Sequence, residues 1–154
     1  MNQITIINYE PKLAPYFKAI NAAWIEQYFK LEEHDLHQLD TPKESILEPG
    51  GAILFASYGD QIAGTCALIK TGEKEFELAK MGVDEKYRGK QIGKTLLKAA
   101  VEKAKAMGAI KIWLGSSTKL QPALRLYEQF DFKRVPLQPS PYARADIRME
   151  LNLV

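Results

Sequence analysis

Hydrophobic and polar positions alternate at the two ends of the chain and recur at helical spacing between them. Residues 3–8 carry Ile4, Ile6 and Ile7 around Thr5, a β-branched run that predicts an opening strand. Pro11 and Pro15 then introduce a helix, with Tyr16, Ile20, Ala23, Trp24, Tyr28 and Leu31 spaced to form one apolar face. Asp40-Thr41-Pro42 sets a capping residue ahead of a proline, which predicts a second short helix starting there. Beyond Gly50-Gly51, apolar runs at 52–58, 61–70 and 76–83 are separated by Gly59-Asp60 and Thr71-Gly72-Glu73 turns. They predict three strands in an antiparallel meander. The period then changes. Ile92, Leu96, Leu97, Ala100, Val101 and Ala104 form a helical stripe over 91–107, stopped by Gly108. Ile110, Ile112 and Leu114 alternate with Lys111 and Trp113 as a strand over 110–115. Pro122, Ala123, Leu126, Tyr127 and Phe130 predict another amphipathic helix, and Pro136, Pro139 and Pro141 punctuate a loop. In the last strand Ile147, Met149, Leu151 and Leu153 alternate with Arg148, Glu150 and Asn152.

The predicted order is therefore β-α-α-β-β-β-α-β-α-β-β. The strand at 76–83, helix at 91–107 and strand at 110–115 make a βαβ unit, which implies a parallel pair with a right-handed crossover. The sheet is mixed, mostly antiparallel with a parallel step at its centre, in an α/β chain. The 154 residues are 46% hydrophobic and 26% charged, the composition of an ordinary globular protein, and are expected to form one domain over 1–154. A net charge of +2 argues against a nucleic-acid partner. No apolar run reaches the length of a membrane span, and residues 1–5 lack the basic and apolar regions of a signal peptide. Cys66 is the single cysteine, so no disulfide forms within the chain and a cytoplasmic setting is expected.

Charge is uneven along the chain. Between Arg88 and Lys111 there are seven cations and one anion, Glu102. They follow the segment Val83-Asp84-Glu85-Lys86-Tyr87-Arg88-Gly89-Lys90-Gln91-Ile92-Gly93-Lys94-Thr95, which joins a strand to a helix start. The free N–H groups of a helix N-terminus, together with glycines that let a phosphate approach closely, suit an anion there. A phosphate loop and a lysine-rich solvated helix face are both compatible with this pattern. Gly89 and Gly93-Lys94-Thr95 are one residue too close for a Walker A loop, and no G-x-G-x-x-G run occurs.

Arg88-Gly89-Lys90-Gln91-Ile92-Gly93 resembles the [Gln/Arg]-x-x-Gly-x-[Gly/Ala] loop of the GNAT N-acetyltransferase superfamily, with Gln91 where the family most often has glycine. The flanking Glu77-Leu78-Ala79-Lys80-Met81-Gly82-Val83 and Leu96-Leu97 look like the family's strand-loop-helix. Ala123-Leu124-Arg125-Leu126-Tyr127-Glu128-Gln129-Phe130-Asp131-Phe132 is similar to its A-x-x-L-Y-x-x-x-G-F block, with Asp131 in place of glycine and Leu120 where many members carry asparagine. The resemblance spans nearly the whole chain in element order, and its specific motifs lie in 76–132. It implies a seven-stranded mixed sheet flanked by about four helices, acetyl-CoA as co-substrate, and acetyl transfer to a primary amine by direct attack in a ternary complex. It also admits a homodimer. A non-catalytic acyl-CoA-binding module is the alternative.

Such a transfer needs a base for the amine, a donor that polarises the thioester carbonyl, and an acid for the departing thiolate. The resemblance implies that Met81, Gly82 and Val83 present their main chain to the cofactor, with an N–H near Met81 on the carbonyl. It implies that Arg88, Gly89, Lys90, Gln91, Ile92, Gly93, Lys94 and Thr95 hold its pyrophosphate. It makes Tyr127 the acid, since a phenol near pKa ~10 stays protonated at neutral pH; spacing alone makes Tyr127 a core aromatic. Glu77 falls where histone-acetylating members carry their base. Strand alternation would place it on the face of Ala79, Met81 and Val83, while a solvated strand end would make it a surface charge. Cys66 reads as a small buried residue. His34 and His37 lack a third ligand at metal spacing, so no metal site is expected. The resemblance implies that the acceptor enters between the first two helices and the last hairpin, beside Trp24, Tyr28, Phe29 and the segment Pro141-Tyr142-Ala143-Arg144. The acidic stretch 26–48, with seven carboxylates against two lysines, would steer a cationic amine, whereas Arg144 would suit a carboxylate-bearing acceptor and a solvated surface would do neither.

Overall fold

The computed structural model describes residues 3–154. Seven strands form one sheet: β1 (Ile4–Asn8), β2 (Ala52–Tyr58), β3 (Gln61–Gly72), β4 (Glu75–Val83), β5 (Lys111–Ser116), β6 (Lys133–Val135) and β7 (Ile147–Asn152). Their order across the sheet is β1-β2-β3-β4-β5-β7-β6. All neighbours are antiparallel except β4 and β5, the pair joined by the crossover helix. The mixed sheet with its central parallel step is thus as the patterning predicts. Four helices flank it: α1 (Ala14–Tyr28), α2 (Glu33–Asp40), α3 (Ile92–Ala106) and α4 (Gln121–Gln129).

The two sheet faces carry two cores. On one, Ile92, Leu96, Leu97, Ala100 and Ala104 of α3 and Leu124 and Tyr127 of α4 bury against Leu54, Leu68, Leu78, Ile112, Leu114 and Met149. The 3.6-residue stripe of α3 makes this possible, and the contact is close: a Cβ at Gly64 would stand 2.8 Å from Ile92 and 2.9 Å from Leu96. The other face packs Phe17, Leu39 and Ile46 on Ile53, Phe55 and Ala67.

Three expectations from patterning shift. The buried face of α1 is Phe17, Ile20, Asn21 and Ile25, while Tyr16 and Tyr28 are exposed, so the predicted stripe is one position out of phase. Burying Asn21 is affordable because its amide donates to the Phe17 carbonyl at 2.9 Å and its oxygen accepts from the Trp24 indole at 2.9 Å. The helix expected after Asp40-Thr41-Pro42 is present as one helical turn, Lys43–Leu47, and a helix that patterning does not predict, α2, comes before it. Helix α2 runs over the polar segment Glu33–Asp40, started by a reciprocal capping box between Glu32 and Asp35. Residues Lys43–Leu47 form a single wide turn in which the Glu48 amide bonds to the Lys43 carbonyl at 2.9 Å.

The third shift matters most for the site. The alternation of β4 is broken by a bulge. Ala79 opposes Ala67 and Gly82 opposes Thr65, so Lys80 and Met81 stand against Cys66 alone, and Lys80 takes φ +52°. Before the bulge Glu77 and Ala79 share the α1/α2 face with their partners Ile69 and Ala67. After it Lys80 and Gly82 take that face, and Met81 and Val83 turn to the α3/α4 core. Glu77 is therefore not on the face of Met81 and Val83.

Leu96→Ala, fully buried between α3 and the sheet, is expected to cost about 3 kcal/mol in denaturant unfolding.

Candidate active site

β4 and β5 pair only through Glu75–Lys111, Phe76–Ile112 and Glu77–Trp113. Beyond that point the strands part. From Leu78 to Val83 the β5-facing edge of β4 has no strand partner, while β5 continues along β7 to Ser116. Main-chain donors and acceptors of Met81–Val83 are left at the edge of a fork, and Glu77 is the last paired residue before it opens.

A cavity lies in this fork on the α1/α2 side. Glu77 and Lys80 line it, with Trp24, Trp113, Tyr142 and Arg148 among its walls. The Trp24 indole is fixed by its hydrogen bond to Asn21 and lies directly over Gly82, where a Cβ would come within 2.5 Å of the ring. Burial pushes the Glu77 carboxyl up to about 7, against the pull of Lys80 and Arg148. No ion pair reaches Glu77 among the described residues, in contrast to the other charged groups around the cavity.

Behind the wall those other charges neutralise one another. Asp35 of α2 is fully buried and takes both arms of Arg144, at 2.7 and 2.9 Å, and the Lys80 ammonium at 2.9 Å. Burial alone would raise its carboxyl; the hydrogen bonds from Arg144 and Lys80 outweigh that and hold it at about 2. Lys80 also donates to the Tyr142 hydroxyl at 2.8 Å, and Tyr142 donates on to Gln38 at 3.2 Å. Glu32 accepts from Arg144 at 3.3 Å and from the Ala143 amide at 3.2 Å. Arg148 stacks 4.1 Å over Trp113 and bonds to Glu150 at 3.2 Å. Burial, with the nearby Glu77 and Asp35 charges, pushes the Tyr142 hydroxyl far up, so it stays protonated. Within the acidic stretch, Glu32 and Asp35 are therefore bonded to Arg144 and Lys80 and are not free for an amine. Equally, Arg144 is not free to take a carboxylate.

The predicted phosphate loop leads into α3. A short turn at Glu85–Tyr87 is capped by Asp84, whose carboxylate accepts from the Lys86 amide at 3.0 Å. The first helical bond of α3 runs from the Thr95 amide to the Gln91 carbonyl at 3.0 Å, so the amides of Ile92, Gly93 and Lys94 keep free N–H groups. Gly89 sits at φ +80° with open space around its Cα. Gln91 sits at φ +68°, the left-handed conformation that explains a glycine preference at this place. Asp131, the second replacement of a family glycine, sits at φ +69°. Both are backbone geometries that a non-glycine residue adopts at a cost of about 1–2 kcal/mol. A Cβ at Gly93 would meet Leu126 at an ordinary 3.6 Å. Not every side chain of the loop faces it: Ile92 is in the core, the Thr95 hydroxyl bonds back to Gln91 at 2.8 Å, Arg88 reaches Gln27 at 3.3 Å, and Lys90 lies 5.4 Å over Tyr58. Arg88, Gly89, Gln91, Gly93 and Lys94 do line one groove, between the loop and α4.

Tyr127 is in the α3/α4 core, its ring 5.9 Å from Phe132. Burial and the neighbouring Cys66 push its hydroxyl well above the usual phenol range. Glu77 and Tyr127 thus lie on opposite faces of the sheet: Glu77 lines the cavity at the fork, and Tyr127 is buried in the α3/α4 core. Cys66 is fully buried, and burial pushes its thiol up to about 12, which leaves it without nucleophilic character. His34 packs edge-on to Tyr142 at 5.1 Å. Lys80, Gln38, Trp113 and Arg148 were not singled out by the sequence. A charged residue inside an alternating run reads as solvent-facing, and the bulge moves Lys80 from the face of Phe76 and Leu78 to that of Glu77.

A family model for the acetyltransferase (GNAT) family matches residues 16–132, and the chain belongs to that family. Over 105 residues it is 33% identical to YvbK of Bacillus subtilis (strain 168), named an uncharacterized N-acetyltransferase, covering 66% of this chain and 68% of YvbK. Over 90 residues it is 32% identical to the uncharacterized N-acetyltransferase Rv2669 of Mycobacterium tuberculosis H37Rv; that match spans 58% of each chain. The fold is that of a GNAT-family acetyltransferase from Staphylococcus aureus Mu50, with a TM-score of 0.89 at 24% identity over 99% of this chain and all of the other. YncA of Salmonella typhimurium, solved with acetyl-CoA, shares it at a TM-score of 0.79 and 16% identity, over 98% of this chain and 94% of YncA. The protein is an N-acetyltransferase of the GNAT type. No helix among the described residues is long and apolar enough to cross a membrane.

The raised Glu77 carboxyl has a stability consequence. The folded chain keeps this proton up to about 7, whereas an unfolded carboxyl loses it near 4.5, so the group costs stability as pH rises through that window. Glu77→Gln is expected to raise the melting temperature at pH 8 and to leave it nearly unchanged at pH 4, measured by differential scanning calorimetry.

Proposed function

We propose that the protein transfers an acetyl group from acetyl-CoA to a primary amine that attacks directly while both are bound. The observation that carries this reading is Glu77: a carboxylate with no ionic partner, held near neutrality, where β4 leaves β5. A base is most effective when its pKa lies near the working pH. The fit to acetyl-CoA rests on the chain's own donors. The free amides of Ile92, Gly93 and Lys94, beside Arg88 and the open backbone of Gly89, suit the pyrophosphate. The unpaired edge of Met81–Val83 suits an extended amide-bearing arm and an N–H on the thioester oxygen.

In this reading Glu77 accepts a proton from the amine, directly or through water. The amine nitrogen bonds to the acetyl carbon, the carbon–sulfur bond breaks, and Tyr127 gives its proton to the departing sulfur. Its upward shift keeps Tyr127 in the protonated form that this role needs. The cavity offers the acceptor aromatic walls and no unpaired cation, since Lys80, Arg144 and Arg148 each bond to a carboxylate. That suits an amine without a carboxylate of its own. A module that only binds an acyl-CoA needs neither Glu77 nor Tyr127.

Calorimetric titration with acetyl-CoA, paired with a thiol-release assay over an amine panel, tests this. Micromolar binding is expected, weakened about tenfold or more in Arg88→Ala/Lys94→Ala. Turnover is expected to fall on the acid side of about pH 7, and Glu77→Gln to lower it by about a hundredfold while keeping acetyl-CoA affinity. Binding without turnover of any amine would leave the acyl-CoA-binding module; no binding would overturn the reading.

A further inference from the structure

Lys80 is a buried cation on the strand that carries Glu77. It occupies a bulge at φ +52°, a conformation that glycine adopts without strain, yet it places a long cationic side chain, only 2% exposed, inside the protein. The bulge is what brings that side chain to the face of Glu77, and both residues line the cavity at the β4/β5 fork. The ammonium is anchored on its far side by Asp35 at 2.9 Å and Tyr142 at 2.8 Å, and stands 4.5 Å over the Tyr142 ring. Through Tyr142 it reaches Gln38 of α2, so one cation joins β4, α2 and the segment between β6 and β7 that roofs the cavity.

We propose that Lys80 is a positioning residue of the acceptor site: its anchored ammonium ties the Tyr142 segment to α2 and supplies the fixed positive charge that Glu77 faces. The inference rests on the reading of Glu77 as the base. Each surrounding element contributes charge. Lys80 lies on the same strand as Glu77; Arg148 comes from β7, Tyr142 and Arg144 from the β6–β7 segment, and Asp35, with Glu32 and His34, from α2 and its start. Of these, Lys80 is the strongest electrostatic influence on Glu77, followed by Arg148, and both favour the ionised carboxylate. Burial pulls the Lys80 ammonium below the usual lysine range, and Asp35, bonded to it at 2.9 Å, opposes that pull. The pairing has a functional sense: a buried carboxylate with no cation near it would hold its proton to higher pH and be a poorer acceptor of one from an amine.

The test is an NMR titration of the Glu77 carboxyl in the free protein, assigned by difference against Glu77→Gln, together with the pH profile of turnover. In Lys80→Met the Glu77 midpoint is expected to rise by about 1 pH unit, the scale of a lost neighbouring charge, and in Lys80→Arg to stay near the wild-type value. The acid limb of turnover should move with it. A folded Lys80→Met protein with an unshifted Glu77 midpoint would overturn the proposal. Should that variant fail to fold because Asp35 loses a partner, Lys80→Gln removes the charge while keeping an amide donor for Asp35, and an unshifted Glu77 midpoint in it would equally overturn the proposal. A midpoint that moves while the acid limb stays fixed would support the role of Lys80 and overturn Glu77 as the base instead.

Discussion

Three residue pairs hold β4 to β5, and their ending at Glu77 and Trp113 is the constraint on which the rest of the site depends. A parallel pair that continued to Val83 would satisfy every main-chain group of β4 and leave no edge for a substrate. Because the pair stops, Met81–Val83 keep free donors, Glu77 looks into a cavity rather than along a ladder, and the α3 N-terminus opens one short turn beyond the end of β4. The fork is held open from both sides. Leu96, Leu97 and Tyr127 of α3 and α4 fill the core on one face of the sheet, and the Trp24 indole sits over Gly82 on the other.

The acceptor side is built from charges that cancel among themselves. Asp35, buried and held at about 2, gathers Arg144 and Lys80, and Glu32 shares Arg144. Replacing any one member strands its partners in a poorly solvated wall, so the network acts as a unit. Its outcome is electrostatic as well as mechanical. The cations are committed to carboxylates behind the wall, and Glu77 remains as the carboxylate without an ionic partner, at a proton affinity set by burial against Lys80 and Arg148.

Much of this was legible in the residues, and the parts that were not have physical reasons. Helix α3 and strand β7 carry clean periodicity because each turns one stripe or side to a core, and β2 reads as an unbroken apolar run because both of its faces are buried. Helix α2 was missed because Glu33–Asp40 is almost wholly polar and is started by an acidic capping box rather than a hydrophobic run. The phase of α1 slipped because its buried stripe includes Asn21, a residue that pattern reading assigns to solvent. The face of Met81 and Val83 relative to Glu77 was inverted by one bulged residue, which strand alternation does not announce. At Gln91 and Asp131 the information was present in reverse. The places where glycine is usual in the resembling family are the places where this backbone takes positive φ.

The central claim is that the β4 edge beyond Glu77, together with the α3 N-terminus, receives the acetyl donor. Backbone amide NMR during addition of acetyl-CoA measures this directly. The account predicts that the shifts concentrate at Met81–Val83, at residues 89–95 and at the Trp113 indole beside the fork. Shifts confined to Tyr16, Ala23 and Gln27 on the outer face of α1, with Met81–Val83 and residues 89–95 unmoved, would contradict it.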